Sequence, residues 1–384
     1  MNLDEIRGQI PLLSRKVYLD NAGAGPPPIS VHKAMQIFLD EWRDYGEKWD
    51  EWLLEIVKTR ELFGKLIGAK VEEIANVPNV TSGLAAIAGA LKLKPASNVV
   101  VSELNFPTNV YMWHALQQRG QLSQVRVLRA TNGEIPLAEY EKAIDDNTVA
   151  VSLDYVSWIN GCREDVQNIT KVAHQHGALM LVDAFHAVGV LPVDVRKLDV
   201  DVLTCGTYKW LMGPHGTAFL YVKHEVLDEL NPSIVGWHGI SDSVVARALS
   251  KQDTFGRPFD LTEVKVANDA TRFEWGTWAL IAVAGAKAAI EFTLKYPPKD
   301  RAPTIERLTG RLIDGLQRLR KKVTSPTEKA RRSGIVTVEI ENAARVAKNL
   351  QERNVIVAPR VNTLRISPHF NNTEQEIDTL LEKL

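Results

Sequence analysis

The chain has 384 residues, 45% of them hydrophobic, and its 46 basic and 47 acidic side chains leave a formal net charge of −1. It is long enough to bury a large core and to form two domains, while charges so evenly interspersed build no field for a nucleic acid or an anionic membrane. No apolar run reaches the roughly 18 residues of a membrane span, the start Met1–Arg7 lacks the zones of a signal peptide, and two cysteines, Cys162 and Cys205, make neither a disulfide framework nor a metal motif, so a cytoplasmic protein without a metal is expected.

From the N-terminus, the segment from Val31 to Leu66 carries apolar residues at helical spacing. Its tryptophans Trp42, Trp49 and Trp52 are expected in core or subunit packing. Short β-branched runs then alternate with helical stretches. Strands are predicted at Asn98–Ser102, Gln124–Leu128, Thr148–Leu153, Ala178–Val182, Val200–Thr204 and Thr217–Val222, with helices such as Asn109–Gln118 and Glu164–His176 between them. This is the rhythm of a doubly wound α/β sheet. A helix predicted from about Trp278 to Tyr296 stops at Pro297-Pro298, which marks the expected domain boundary. Beyond it, a helix near Thr304–Lys321, strands at Gly334–Ile340 and Asn354–Val357 and a helix at Thr373–Leu384 suggest a small α+β domain. The expected division is an N-terminal arm over 1–15, a large domain over 16–296 and a small domain over 297–384.

Two chemical groups stand at strand ends. Asp183 closes the run Ala178–Val182, and Lys209 lies just past Val200–Cys205. In a parallel α/β sheet the carboxyl ends of neighbouring strands open into one crevice, where ligands bind. A lysine there can form a Schiff base, and a carboxylate nearby can keep a pyridinium nitrogen protonated, the division of labour around pyridoxal phosphate. Taken singly, such residues are ordinary surface and cap groups. Flanking by Tyr208 and Trp210 sets Lys209 apart, because a poorly solvated amine has a lowered pKa and is the better nucleophile.

Further motifs lie in order along the chain: Tyr18-Leu19-Asp20-Asn21-Ala22-Gly23, Val80-Thr81-Ser82-Gly83-Leu84, Asn105-Phe106-Pro107-Thr108-Asn109, Asp183-Ala184-Phe185-His186, Tyr208-Lys209, Gly236-Trp237-His238-Gly239, Gly276-Thr277 and Thr363-Leu364-Arg365-Ile366-Ser367-Pro368. Together they resemble the fold-type I pyridoxal-phosphate enzymes of the aminotransferase class V group, which includes cysteine desulfurases, isopenicillin-epimerase-like proteins and kynureninase. The resemblance implies a mainly parallel seven-stranded sheet in the large domain and a homodimer with shared active sites. It implies that Lys209 is the Schiff-base lysine and Asp183 the partner of the pyridine nitrogen. His186 would lie near the ring hydroxyl, Phe106 would stack on the ring, and Thr81, Ser82 and Gly83 would receive the phosphate on a helix N-terminus. Tyr208, Trp237 and Thr277 would approach the phosphate, the last two from the partner subunit. Arg365 would grip the substrate α-carboxylate, for which a planar guanidinium is suited, with Asn21 and Trp158 on the substrate side.

The chain departs from that pattern in two places. Desulfurases carry a loop with a nucleophilic cysteine shortly before the carboxylate-binding arginine, whereas Val355–Leu364 is short and has none, which disfavours sulfur transfer through a persulfide. Trp158 stands where many relatives have a small polar residue, and Asn160 is a candidate to supply the missing amide. The expected function is an aminotransferase acting on an α-amino acid. A kynureninase-like lyase or hydrolase, an epimerase and a catalytically silent binding scaffold are the alternatives.

Overall fold

The computed structural model describes residues 2–384. Strand β1 (Val17–Tyr18) precedes the seven strands of the main sheet: β2 (Ile74–Val77), β3 (Asn98–Ser102), β4 (Gln124–Leu128), β5 (Thr148–Asp154), β6 (Leu179–Asp183), β7 (Val202–Gly206) and β8 (Ala218–Val222). They lie in the order β2-β8-β7-β6-β5-β3-β4, parallel except for β8, which runs against both its neighbours. The α/β class and the mainly parallel seven-stranded sheet are therefore as expected. The seventh strand, β2, has no separate signature among the runs read from the sequence. Its four residues, Ile74-Ala75-Asn76-Val77, are buried between the edge of the sheet and the loop around Phe273, and a run so short, with an alanine and an asparagine at its centre, lacks the β-branched apolar stretch that marks the other strands.

The sheet decides where a ligand can sit. The chain leaves β3 for β4 on one side and returns to β5 on the other, so the carboxyl ends of β3, β5, β6 and β7 border a switch point. Phe106, Asp154, Asp183 and Lys209 all follow or close those strands.

Helices cover both faces. The segment Val31–Leu66 is two helices, Ile29–Tyr45 and Trp49–Ile67, because Gly46 takes a positive φ of 72° and ends the first. Trp42 is 57% exposed and not core, whereas Trp49 and Trp52 contact each other and Phe38 or Trp237. The proline pair ends the helix Leu280–Leu294 and at once starts the next, Pro298–Arg318, in which Pro298 occupies the first turn where its missing N–H costs nothing.

The C-terminal part has β9 (Val336–Glu339), β10 (Val355–Ile356), β11 (Ala358–Arg360) and β12 (Thr363–Ile366). An antiparallel sheet of order β11-β12-β9 packs on helices, while β10 pairs in parallel with β1. Leu19 accordingly lies in the C-terminal core with Leu312, Val338 and Leu380, although Ile6, Ile10 and Leu13 before it belong to the main core. The early segment thus ties the two cores together, a long-range pairing that no local pattern announces. Among the described residues no helix is long and apolar enough to cross a membrane.

Candidate active site

Lys209 lies in the turn after β7, buried against aromatic rings, with its Nζ 4.2 Å from the centre of the Phe185 ring. Burial is the main cause that pushes its amine down to about 8, and the nearby Asp183 only partly opposes it. The Lys209 backbone is pinned from above. Gly25 lies so close to the Lys209 carbonyl that a Cβ at position 25 would stand 2.1 Å from its oxygen, and the Gly25 N–H donates to the Tyr208 carbonyl.

His186 holds the amine from the side. Its Nε2 is 3.0 Å from Lys209 Nζ, and the Trp210 indole N–H donates to its Nδ1 at 3.1 Å. Burial drives the imidazole well below its ordinary pKa, with the Lys209 charge adding to the effect. A neutral ring that accepts at Nδ1 carries its proton on Nε2, so His186 can donate only to the uncharged lysine amine, and the contact favours loss of the Lys209 proton in the same direction as burial. An ammonium would find no lone pair there. Replacing Trp210 with phenylalanine frees the imidazole to offer Nε2 as an acceptor, and the pH midpoint of Lys209 reactivity toward reductive methylation, read on its peptide by mass spectrometry before the cofactor is added, is expected to rise by about one unit. A midpoint that stays or falls rejects the tautomer assignment.

Asp183 ends β6 and is fully enclosed. Its Oδ1 accepts the Phe185 N–H at 2.9 Å, and burial raises its carboxyl to about 6. Beside it, in direct register on β5, stands Asp154, a second buried carboxyl raised by burial and then by the Asp183 charge. Its two oxygens accept from the Phe106 N–H (2.6 Å) and the Asn109 amide (3.1 Å). Sequence reasoning missed Asp154, although it closes its strand as Asp183 closes the next. Phe185 was also missed as a site residue; it fills the floor that Gly206 leaves open, where a Cβ would meet its ring at 2.5 Å.

Phe106 is 43% exposed at the rim, 5.9 Å from Lys209 Nζ. Trp158 meets it edge-on at 5.5 Å and donates its indole N–H to the Asn105 carbonyl. Asn160 does not supply an amide to this pocket. Its side chain donates to the Gly133 carbonyl and accepts the Cys162 N–H, which consumes it in the loop. Tyr208 stacks on His215 at 3.9 Å, with its edge toward Phe185.

Arg365, on β12, is 2% exposed and reaches Asp20 Oδ1 at 3.3 Å. Burial lowers its guanidinium to about 10, and its Nε has no partner. Asn21 bonds the Ser367 carbonyl through its amide, while its Oδ1 is buried and unpaired. The Arg365 charge reaches Lys209 and His186 and helps to lower both.

The helix Val80–Ala90 begins behind this group. Its cap Asn79 accepts the Ser82 N–H and hydroxyl, Thr81 is exposed, and Gly83 is buried against Thr204. Ser82 and Thr277 of one chain line a common cavity of about 240 Å³ with Asn76, Gly216 and Trp275. Glu274 accepts the Asn76 N–H and faces Arg60, and Arg272 donates to the Leu227 and Ala267 carbonyls, which anchors the loop that carries Thr277. Trp237 is apart from this group within the protomer. It packs on Trp49 and Phe259 in a satellite cluster.

The donor set suits pyridoxal phosphate. A buried lysine amine of lowered pKa stands beside a carboxylate that makes no ion pair among the described residues, a ring surface lies open at Phe106, and the helix Val80–Ala90 begins near Thr204. The fold is that of the fold-type I pyridoxal-phosphate enzymes. Residues 17–380 match the aminotransferase class-V family, and the chain belongs to it. An uncharacterized aminotransferase, YcbU, of Bacillus subtilis is 30% identical over 99% of this chain and 97% of its own length. A probable cysteine desulfurase of Methanothermobacter thermautotrophicus is 28% identical over 100% and 98%. Among solved structures, a cysteine desulfurase from Thermococcus onnurineus NA1 superposes with a TM-score of 0.86 at 24% identity, covering 99% and 96%. A C-DES chain with glycine covalently linked to its pyridoxal-phosphate cofactor gives 0.88 at 22%, covering 98% of both. The family is pyridoxal-phosphate dependent.

Proposed function

We propose that this chain is an aminotransferase for an α-amino acid, working as a homodimer. The observation that carries this reading is the Lys209 amine, buried, lowered in pKa and in contact with His186 beside Asp183. Lys209 would hold the cofactor by its Nζ and Asp183 would pair with the ring nitrogen, while His186 would donate to the ring hydroxyl and Phe106 would cover the ring. The N–H groups of Thr81, Ser82 and Gly83 would receive the phosphate, with Tyr208 near it and Thr277 and Trp237 closing the site at the dimer contact. Bound pyridoxal phosphate supplies the electron sink for the pair left at the substrate Cα.

The rest is the work of the chain. Arg365 binds the α-carboxylate, and Asn21 and Trp158 limit how the substrate lies. Lys209 Nζ would be the base that takes the Cα proton. Sulfur transfer has no support in these residues. The turn between β11 and β12 is only Val361 and Asn362, and Cys162 and Cys205 are both buried with thiols raised by burial.

The test is to add single amino acids to cofactor-loaded protein while following cofactor absorbance and products. One equivalent of keto acid formed as the band is lost, with recovery of the band on adding a keto acid, is the expected result. Steady cleavage, inversion or release of sulfur with the band unchanged overturns transamination, and the product then names the lyase, hydrolase, epimerase or desulfurase. No cofactor uptake at all leaves the silent scaffold.

A further inference from the structure

The turn that replaces a cysteine-bearing loop brings a second arginine to the site. In the β11-β12 hairpin Ala358 pairs with Arg365 and Arg360 with Thr363. Directly opposed residues share a face, as do residues two apart on one strand. Arg360 and Arg365 therefore project from the same face as diagonal neighbours. Arg365 has Asp20 as its counter-charge. Arg360, half-buried, has no carboxylate within ion-pair distance among the described residues, and its Nη1 donates only to the adjacent Pro359 carbonyl at 2.7 Å. Its charge is nonetheless felt at Asp20, His186 and Arg365, so it faces the pocket that holds Lys209.

Two guanidinium groups thus share one carboxylate at the mouth. A substrate α-carboxylate answers Arg365 and leaves Arg360 unmatched. We propose that the substrate is an acidic α-amino acid, with a carboxylate on its side chain, and that Arg360 is the residue that grips this second anion. The proposal rests on the amino-acid reading above and deepens it. A fork of N–H donors binds a carboxylate in a fixed plane, and the short Val361-Asn362 turn holds that fork where a longer loop would let it swing away.

The experiment uses full-length, cofactor-loaded protein titrated with aspartate, glutamate and alanine, with dissociation constants read from cofactor absorbance. Wild type is expected to bind one of the acidic pair more tightly than alanine. Arg360→Gln is expected to lower the ratio of acidic to alanine affinity by about tenfold or more, and Arg360→Lys to keep part of it. Because the readout is a ratio within each variant, a general loss of stability or cofactor does not mimic it. An unchanged ratio in Arg360→Gln, or wild type that prefers alanine, overturns the acidic substrate while leaving the amino-acid reading intact. Loaded protein that responds to none of the three, nor to any other amino acid, overturns that reading itself.

Discussion

Replacing Lys209 with alanine is expected to cut turnover by at least about a thousandfold and to end covalent retention of the cofactor. In wild type, borohydride reduction followed by denaturation should leave the cofactor on the Lys209 peptide, and in the variant it should leave with the solvent. The expectation comes from position. Among the described residues Lys209 is the lysine whose charge acts on both Asp183 and His186, so no neighbour is placed to take over either the attachment or the proton transfer. Added methylamine should restore a small part of the activity by supplying an amine to the cavity left behind. Full activity in Lys209→Ala would remove Lys209 from the site altogether.

Asp183→Asn is the second large effect, expected at roughly a hundred- to a thousandfold in turnover. The amide keeps the size and can still accept from the Phe185 N–H, but it cannot carry the negative charge that keeps a ring nitrogen protonated. Asp154 is no substitute, since both its oxygens are engaged by Phe106 and Asn109. The sign of the pH dependence follows from burial. Without a cationic partner the Asp183 carboxyl is raised to about 6, so its ionised form is lost as pH falls through that value, and cofactor binding should weaken on the acid side. The same titration should be flattened in Asp183→Asn and retained in Asp154→Asn. Equal loss in both variants would assign the nitrogen contact to the pair and not to Asp183 alone.

These two residues could be placed in one crevice from spacing alone, because a lysine and an aspartate at the ends of adjacent parallel strands have few other ways to lie. The α/β class and six of the seven strands were legible for a similar reason: each is a short β-branched or apolar run with turn residues on either side, and that composition is a local signal. Turn residues were legible too. Gly46 and Pro297-Pro298 end helices through local backbone preferences, though the prolines also begin the next helix.

Other features had no local signal. Asp154 looks like any strand-end carboxylate until β5 and β6 are set in register, and Trp210 becomes a proton-positioning group only because its indole meets His186 across two loops. Asn160, a plausible amide donor in the sequence, is consumed by the Gly133 carbonyl. The pairing of β1 with β10 brings Asp20 to Arg365 and Asn21 to Ser367 from more than three hundred residues away. Local periodicity and turn chemistry therefore determined the elements, their order and the lysine–aspartate pair, since these depend on neighbours within one turn or one strand. Only the tertiary structure decided which polar atoms face one another, the lowered pKa of Lys209 and the unmatched charge of Arg360, because burial, register and the direction of a hydrogen bond are set by contacts between distant segments.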